Sequence, residues 1–170
     1  MNGRMKMTSL AMGICSAIFA MSAAPRATEA SAFVWPVSGT LSATAWYPNG
    51  SVHSGSADIA NGYWTGIGAS RFGNAYAAWE AYGCGNYVYI NHAAGYQTLY
   101  CHMVQWPSVG GGRWVNTNQH IGYIGSTGHS TGPHCHFAIR RWGTRLVIPG
   151  IWIGEWVNRN WGVPGTYWGL

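Results

Sequence analysis

The sequence predicts a mainly β fold of antiparallel sheets in a single domain, and three observations favour it. The chain of 170 residues contains 25 glycines, 11 tryptophans and 10 tyrosines, and aromatic residues separated by Gly and Asn turns are typical of short strands. The segment "NYVYINHAAGYQTLYCHM" alternates as the two arms of a hairpin do. Helical signal is scarce, because only "NAYAAWEAYG" could form a helical turn, and it suits a strand equally well.

The first thirty residues are predicted to be a cleaved secretory signal. Arg4 and Lys6 precede the apolar stretch Met7–Ala24, and small residues suit cleavage near Ala24 or Ala30. A retained membrane anchor is the weaker alternative, because the apolar run is short for a spanning helix and is interrupted by a glycine, a cysteine and three serines.

Residues 31–170 are predicted to form one domain with a Trp-rich tail that starts at Thr144. After residue 30 the chain has six arginines, no lysine and three acidic residues, so six minus three leaves a net charge of about +3. This charge suits an anionic cell-wall or membrane surface. The arginines form no dense run of the kind that nucleic-acid-binding proteins carry. We expect no nucleic-acid partner, no membrane span after signal removal, and a monomer.

The elements follow one another along this domain. The segment "SAFVWPVSGTLSATAWYPNG" predicts a strand pair that ends in the turn Pro48–Gly50. After it, "SVHSGSADIANG" predicts a loop that leads into a buried strand at Asp58. The hairpin comes next, with its turn at Ala93–Gly95, and a Gly-rich link then leads to a strand that "STGPHCHFAI" enters from a Gly/Pro turn.

Two histidines lie one residue apart in that last strand. Because successive side chains alternate, His134 and His136 share one face, and Cys135 and Phe137 share the other. Imidazoles about 7 Å apart can serve one reaction centre. The pair alone is a weak indication of metal, since polar strand faces also carry two histidines without one.

A carboxylate and two further histidines extend this set. Asp58 is costly to bury without a cation or hydrogen bonds, and one carboxylate with two imidazoles is a ligand set of catalytic zinc. In the alternative interpretation Asp58 caps a turn. His53 lies in the same loop as Asp58. By alternation His102 shares a face with Thr98 and Tyr100; alone it indicates a structural residue, and beside a metal it is a candidate acid or base.

Four segments, "HSGSADIA", "GYQTLYCHM", "IGSTGHSTGPH" and "HCHFAIR", resemble the lysostaphin/β-lytic family of zinc peptidoglycan endopeptidases in order and approximate spacing, from Ser51 to Gly143. The resemblance implies the lysostaphin-like fold with an open groove, one Zn²⁺ per chain, and bacterial peptidoglycan as the substrate of a secreted or periplasmic enzyme. It implies the following ligands and catalytic residues: His53, Asp58 and His136 on the metal, and His102 and His134 beside the reacting water.

One feature departs from the commonest family loop, which has three residues between its His and Asp. Here four residues separate His53 from Asp58, and a bulge in the Gly/Ser loop would absorb the extra one. The alternative function is a non-catalytic cell-wall-binding or regulatory module of the same fold. A Trp-rich carbohydrate-binding protein is a third possibility, which leaves the ordered histidine motifs unexplained.

The cysteines and the other histidines complete the predictions. Cys84 and Cys101 lie on opposite arms of the hairpin and are a disulfide candidate, although such a pair can also stay reduced in a core. Cys135 is expected to be a small buried hydrophobe. His92 and His120 are expected to be structural. His129 is also expected to be structural or neutral, although its Gly-rich loop is a candidate border of the cleft. Loops that carry Tyr47, Trp64 and Trp114 are candidate walls of the groove, with core packing as the favoured alternative for each tryptophan.

Overall fold

The computed structural model describes residues 33–45, 53 and 55–165, and within them the predicted mainly β fold is confirmed. The predicted signal segment, Tyr47 and the turn Pro48–Gly50 lie outside the described residues. The described strands are β1 (Gly39–Ala43), β2 (Ala57–Ala60), β3 (Gly66–Gly68), β4 (Gly73–Glu80), β5 (Gly85–Asn91), β6 (Tyr96–Met103), β7 (Arg113–Val115), β8 (His120–Tyr123), β9 (His134–Arg141), β10 (Thr144–Leu146) and β11 (Trp156–Val157).

Nine of these strands form one antiparallel sheet in the order β11-β1-β2-β9-β6-β5-β4-β7, with β10 paired to β9, and β3 pairs with β8 separately. Strands β2, β9 and β6 are adjacent in the middle of the large sheet. Strand β2 carries Asp58, β9 carries His134 and His136, and β6 carries His102. The sheet order therefore gathers residues that are far apart in sequence.

The predicted hairpin is present as β5 and β6, joined by a single 3₁₀ turn at Ala93–Gly95. The segment that suited either a helix or a strand is strand β4, which pairs with β5 and β7. The predicted N-terminal strand pair is wrong in the described residues. Only β1 forms there, and it pairs with β2 and β11 instead, because its apolar side chains pack into the core of the large sheet.

The two faces of the large sheet have different roles. Tyr100 pairs with Phe137 and both belong to the main hydrophobic core, where each side chain is fully buried. Burial of such a side chain contributes roughly 1.5–3 kcal/mol. The opposite face, called the open face below, carries a small cluster of Leu99, Cys101 and Ala138. One face thus stabilises the fold, and the open face is available for a site.

A disulfide joins Cys84 to Cys101. Cys84 lies one residue before β5, so the bond ties the start of this strand to the end of β6. Cys135 is a free, fully buried thiol on the core face, and burial raises its pKa above the ordinary value. This thiol is therefore not an available nucleophile.

Among the described residues, no helix has the length and apolar character needed to cross a membrane.

Candidate metal centre

Three side chains converge on the open face of the sheet, and they are the three predicted metal ligands. One donor atom from each of His53, Asp58 and His136 lies within 4.8 Å of the others. The ladder places Asp58 directly opposite His136 across β2 and β9, so both side chains point the same way. Asp58 Oδ1 lies 2.8 Å from Nδ1 of His136, and Asp58 Oδ2 lies 3.3 Å from Nε2 of His53.

The four-residue spacing between His53 and Asp58 does not separate the two side chains. Gly55 has a φ of 76°, a left-handed conformation that glycine adopts without steric cost. The Ser56 N–H donates to the His53 carbonyl at 3.2 Å, and the His53 N–H donates to the Ala45 carbonyl at 2.8 Å. These contacts keep His53 beside Asp58 despite the longer spacing.

Three of the site histidines are oriented in the same manner, by a backbone carbonyl at Nδ1. The pairs are His53 with Thr44 at 2.7 Å, His102 with Thr127 at 2.8 Å, and His134 with Gly132 at 2.9 Å. Because a carbonyl oxygen only accepts, each Nδ1 must carry the hydrogen. Each neutral ring therefore keeps an unprotonated Nε2, the atom that binds a metal or accepts a proton.

His102 reaches the site through an irregularity in β6 that alternation did not predict. Cys101 and His102 together face the single residue Tyr87 of β5, which is a β-bulge, and His102 has a φ of 65°. The bulge turns its ring to the open face, 4.7 Å between ring centroids from His134. The expectation that His102 shares a face with Thr98 and Tyr100 is wrong for this reason.

Thr127 holds this irregular segment in place. Its carbonyl accepts from His102, its Oγ1 donates to the Met103 carbonyl at 2.7 Å, and the same Oγ1 accepts from the Asn86 N–H at 3.0 Å. The backbone N–H of His102 donates to the Cys84 carbonyl at 2.7 Å. The disulfide partner and a loop threonine therefore fix the position of His102 together.

Electrostatics favour a charged carboxylate beside neutral rings. Burial alone would raise the pKa of Asp58, but the hydrogen bond from His136 and the nearby histidines lower it below its ordinary value. Burial lowers the pKa of His53, and it lowers the pKa of His102 to about 4. At neutral pH both rings are neutral, which is the state required of a ligand or a proton acceptor.

The donor set fits zinc. A carboxylate oxygen and two imidazole nitrogens are zinc ligands, and three protein ligands leave a coordination position open for chemistry. Asp58 is 8% exposed and His53 is 4% exposed, and a buried carboxylate among imidazoles is the arrangement that a cation stabilises. His102 and His134 lie beside this group without belonging to it.

The structure brings together all five predicted site residues, while their roles stay predictions. The sequence did not predict the three carbonyls of Thr44, Thr127 and Gly132, because no side-chain pattern marks a main-chain acceptor. His92 is half-buried and lies away from the site, where its Nδ1 donates to the Phe72 carbonyl at 2.7 Å and its Nε2 lies 2.8 Å from Thr98 Oγ1.

Three other cleft candidates lie outside the group of candidate metal ligands. His129 is exposed and is not part of the cluster. Trp64 packs against Tyr123 with ring centroids 5.8 Å apart, and Trp114 packs against Phe72 at 5.6 Å. Both tryptophans are more than half exposed, at 57% and 55%, so neither is a core residue.

Two grooves flank the centre along the open face. One has a volume of about 530 Å³ and is lined by His134 together with uncharged residues that include Thr40 and Asn61. The other has a volume of about 410 Å³ and contains Arg140, Arg145 and the disulfide residue Cys84. A peptide chain that crosses the centre therefore meets different surroundings on its two sides.

Comparison with known proteins agrees with this site. The sequence model described as peptidase family M23 matches residues 51–148. The DD-carboxypeptidase/endopeptidase Mpg of Neisseria meningitidis serogroup B is 47% identical over 58 residues, which are 34% of this chain and 13% of that protein. The chain thus spans a small part of this curated relative.

Two solved structures resemble the fold. A zinc-containing peptidase from Vibrio cholerae has a TM-score of 0.60 at 27% identity, over 68% of this chain and 38% of its own. The catalytic domain of lysostaphin from Staphylococcus simulans has a TM-score of 0.55 at 30% identity, over 66% of this chain and 88% of its own.

Proposed function

Because the chain belongs to peptidase family M23, we propose that it is a zinc-dependent endopeptidase that hydrolyses peptide bonds in the stem or cross-bridge peptides of bacterial peptidoglycan. The family assignment confirms the resemblance predicted from four sequence motifs. The observation that carries the proposal is the convergence of one buried carboxylate and two imidazoles next to two further imidazoles on an open sheet face. A relative from Vibrio cholerae that is 49% identical over 53 residues is named peptidoglycan DD-endopeptidase ShyC, and this name supports a peptidoglycan substrate.

In this proposal His53, Asp58 and His136 hold the zinc. Zinc supplies Lewis-acid chemistry, which polarises a scissile carbonyl and favours ionisation of water. The Thr44 carbonyl fixes the His53 ring so that its unprotonated Nε2 faces Asp58. Asp58 stays ionised because His136 hydrogen-bonds it.

His102 and His134 would handle the protons. Each ring has its Nδ1 hydrogen held by a carbonyl, so Nε2 is the atom that accepts a proton from the attacking water. The protonated ring then donates a hydrogen bond to the developing oxyanion or returns the proton to the leaving amine. His102 is 6% exposed, and exclusion of bulk water strengthens such interactions.

The site of action would lie outside the cytoplasm, either secreted or periplasmic. Peptidoglycan is found there, and the N-terminal segment has the composition of a secretory signal. The disulfide between Cys84 and Cys101 supports an oxidising compartment.

The test combines metal content with peptide release. We expect about one zinc per purified chain and release of new amino termini from isolated peptidoglycan, which a chelator abolishes and added zinc restores. A folded, metal-free protein that binds peptidoglycan without releasing amino termini would contradict the proposal and support the binding module. Chelator-resistant release would contradict the zinc assignment.

A further inference from the structure

We propose that the 410 Å³ groove beside the metal centre is a subsite for a free carboxylate of the substrate peptide, bound by Arg140 together with Arg145. The inference deepens the proposed function and rests on it. Such a subsite would favour stem peptides that carry a free carboxylate over uncharged cross-bridges such as runs of glycine. Strand topology, the surroundings of the arginines and the charge of the two grooves carry it.

Strand β9 places Arg140 on the same face as the metal centre. His136 and Arg140 are four residues apart on one strand, so alternation directs both side chains to the open face, about 13 Å apart along the strand. Arg145 of β10 pairs directly with Arg140. Side chains of directly paired residues lie on one side of the sheet, so the two guanidinium groups face the same groove.

The groove lies near the metal centre on the open face. Its lining includes Cys84, which is bonded to Cys101, and Cys101 pairs directly with the metal-ligand candidate His136. The distance of about 13 Å corresponds to about four residues of extended peptide. A substrate bound at the centre can therefore extend along β9 until one of its carboxylates reaches Arg140.

The fold engages the guanidinium group of Arg140 only weakly. Its Nη1 donates to Gln97 Oε1 at a long 3.4 Å, and its Nε is buried without a hydrogen-bond partner among the described residues. Arg141 and Arg71 also have a buried Nε without a partner. Their guanidinium carbons instead lie over rings, Arg141 at 4.9 Å from the Tyr96 centroid and Arg71 at 5.4 Å from that of Phe33.

The charge of the lining supports an anionic ligand. Two guanidinium groups, of Arg140 and Arg145, and one carboxylate, of Glu80, line the groove, so the lining keeps a net positive charge. A guanidinium group matches a carboxylate in geometry and binds it through paired hydrogen bonds. Apart from His134, the 530 Å³ groove has an uncharged lining. The difference in charge between the two grooves would orient the bound substrate peptide, with its carboxylate in the groove that contains Arg140.

The experiment compares two matched substrates. The first is a cross-linked dimer of stem peptides, released from purified peptidoglycan, with its carboxylates free; the second is the same dimer with those carboxylates converted to primary amides. We expect the wild-type protein to hydrolyse the free-carboxylate dimer with a kcat/KM about tenfold higher or more, since a charge-assisted hydrogen bond is lost in the amide.

Arg140→Gln removes the charge and keeps a shorter polar side chain that can still hydrogen-bond. It should lower kcat/KM for the free-carboxylate dimer about tenfold, mainly through KM, and leave the amidated dimer unchanged. The matched control is Arg113→Gln, which removes an exposed charge from edge strand β7 and should change neither value. Arg145→Gln provides a second variant of the groove if Arg140→Gln folds poorly.

The outcomes separate this inference from the proposed function. Equal hydrolysis of both dimers by the wild-type protein would overturn the subsite and leave the peptidase intact. An equal loss in Arg140→Gln and Arg113→Gln would also overturn it, because a general charge effect would then explain the data. Hydrolysis of neither dimer by zinc-loaded protein would overturn the proposed function and the subsite with it.

Discussion

The open face carries two groups of side chains that the chain positions differently. In the candidate metal-binding group, the antiparallel ladder sets Asp58 opposite His136, and a loop adds His53. In the candidate proton-transfer pair, His134 lies on a regular strand, but His102 has a φ of 65° in a bulge and its ring is held from a loop. Two of the three candidate ligands thus depend on strand register, whereas His102 depends on a bulge that a small substitution can move.

The largest effect should come from a substitution in the candidate metal-binding group. His136→Ala removes one of three donors and leaves the buried Asp58 without its 2.8 Å hydrogen bond. We expect loss of zinc and a fall in kcat/KM on the order of 10³-fold or more, since the Lewis acid supplies several kcal/mol. Metal analysis of the purified variant and release of amino termini measure both effects. Retained zinc would contradict the assignment of His136.

A smaller loss of activity, without loss of zinc, should follow from a substitution in the candidate proton-transfer pair, His102 and His134. His134→Ala should lower kcat on the order of 10²-fold, the usual contribution of a general acid or base, with zinc retained. His129→Ala removes an exposed histidine from the neighbouring loop and serves as the control with unchanged activity. If His134→Ala lost zinc to the same extent as His136→Ala, the division between the two groups would be wrong.

The comparison also explains how far the sequence predicted the molecule. Alternation placed His134 and His136 on one face, because that strand is regular, and the hairpin was visible from its turn at Ala93–Gly95. Alternation gave the wrong face for His102, because a bulge depends on the partner strand and on loop contacts that a local pattern does not contain. The family resemblance, rather than strand periodicity, predicted that His102 belongs to the site.

The position of His102 can be disturbed without touching any candidate ligand. Gly85 has a φ of 63°, and a methyl group there would overlap Thr127. We expect Gly85→Ala to lower kcat about tenfold with zinc retained, because displacement of Thr127 moves the His102 ring. Titration of zinc content and separate determination of kcat and KM test this.

Gly111→Ala is the matched control for that substitution. Gly111 has a φ of 66°, and nothing lies within 4 Å of an added methyl group. Both variants therefore carry the same conformational cost of about 1–2 kcal/mol, and only Gly85→Ala pushes on Thr127. A similar kcat in the two variants would show that Thr127 does not position His102.

The smallest effect on activity is expected at His92, whose Nδ1 is also held by a backbone carbonyl but whose Nε2 is hydrogen-bonded as well. Hydrogen bonds hold both ring nitrogens of His92, and burial lowers its pKa from 6.5 to about 4. The unfolded chain therefore takes up a proton at a higher pH than the folded protein. The stability from neutral His92 is complete above pH 6.5 and declines as the pH falls towards 4, by about 3 kcal/mol in total.

Urea unfolding of the chelated protein at pH 7.5 and pH 5 should reveal this difference between histidines. The wild-type protein should lose about 2 kcal/mol more between the two pH values than His92→Gln does. His129→Gln should keep the wild-type loss, because that ring is exposed. Hydrolysis by His92→Gln at pH 7.5 should stay near wild type, since its ring lies outside the site. An equal loss of stability in wild type and His92→Gln would mean that proton uptake by His92 is not linked to unfolding. The contrast between the site histidines and a structural histidine, all held by a backbone carbonyl at Nδ1, would then not hold.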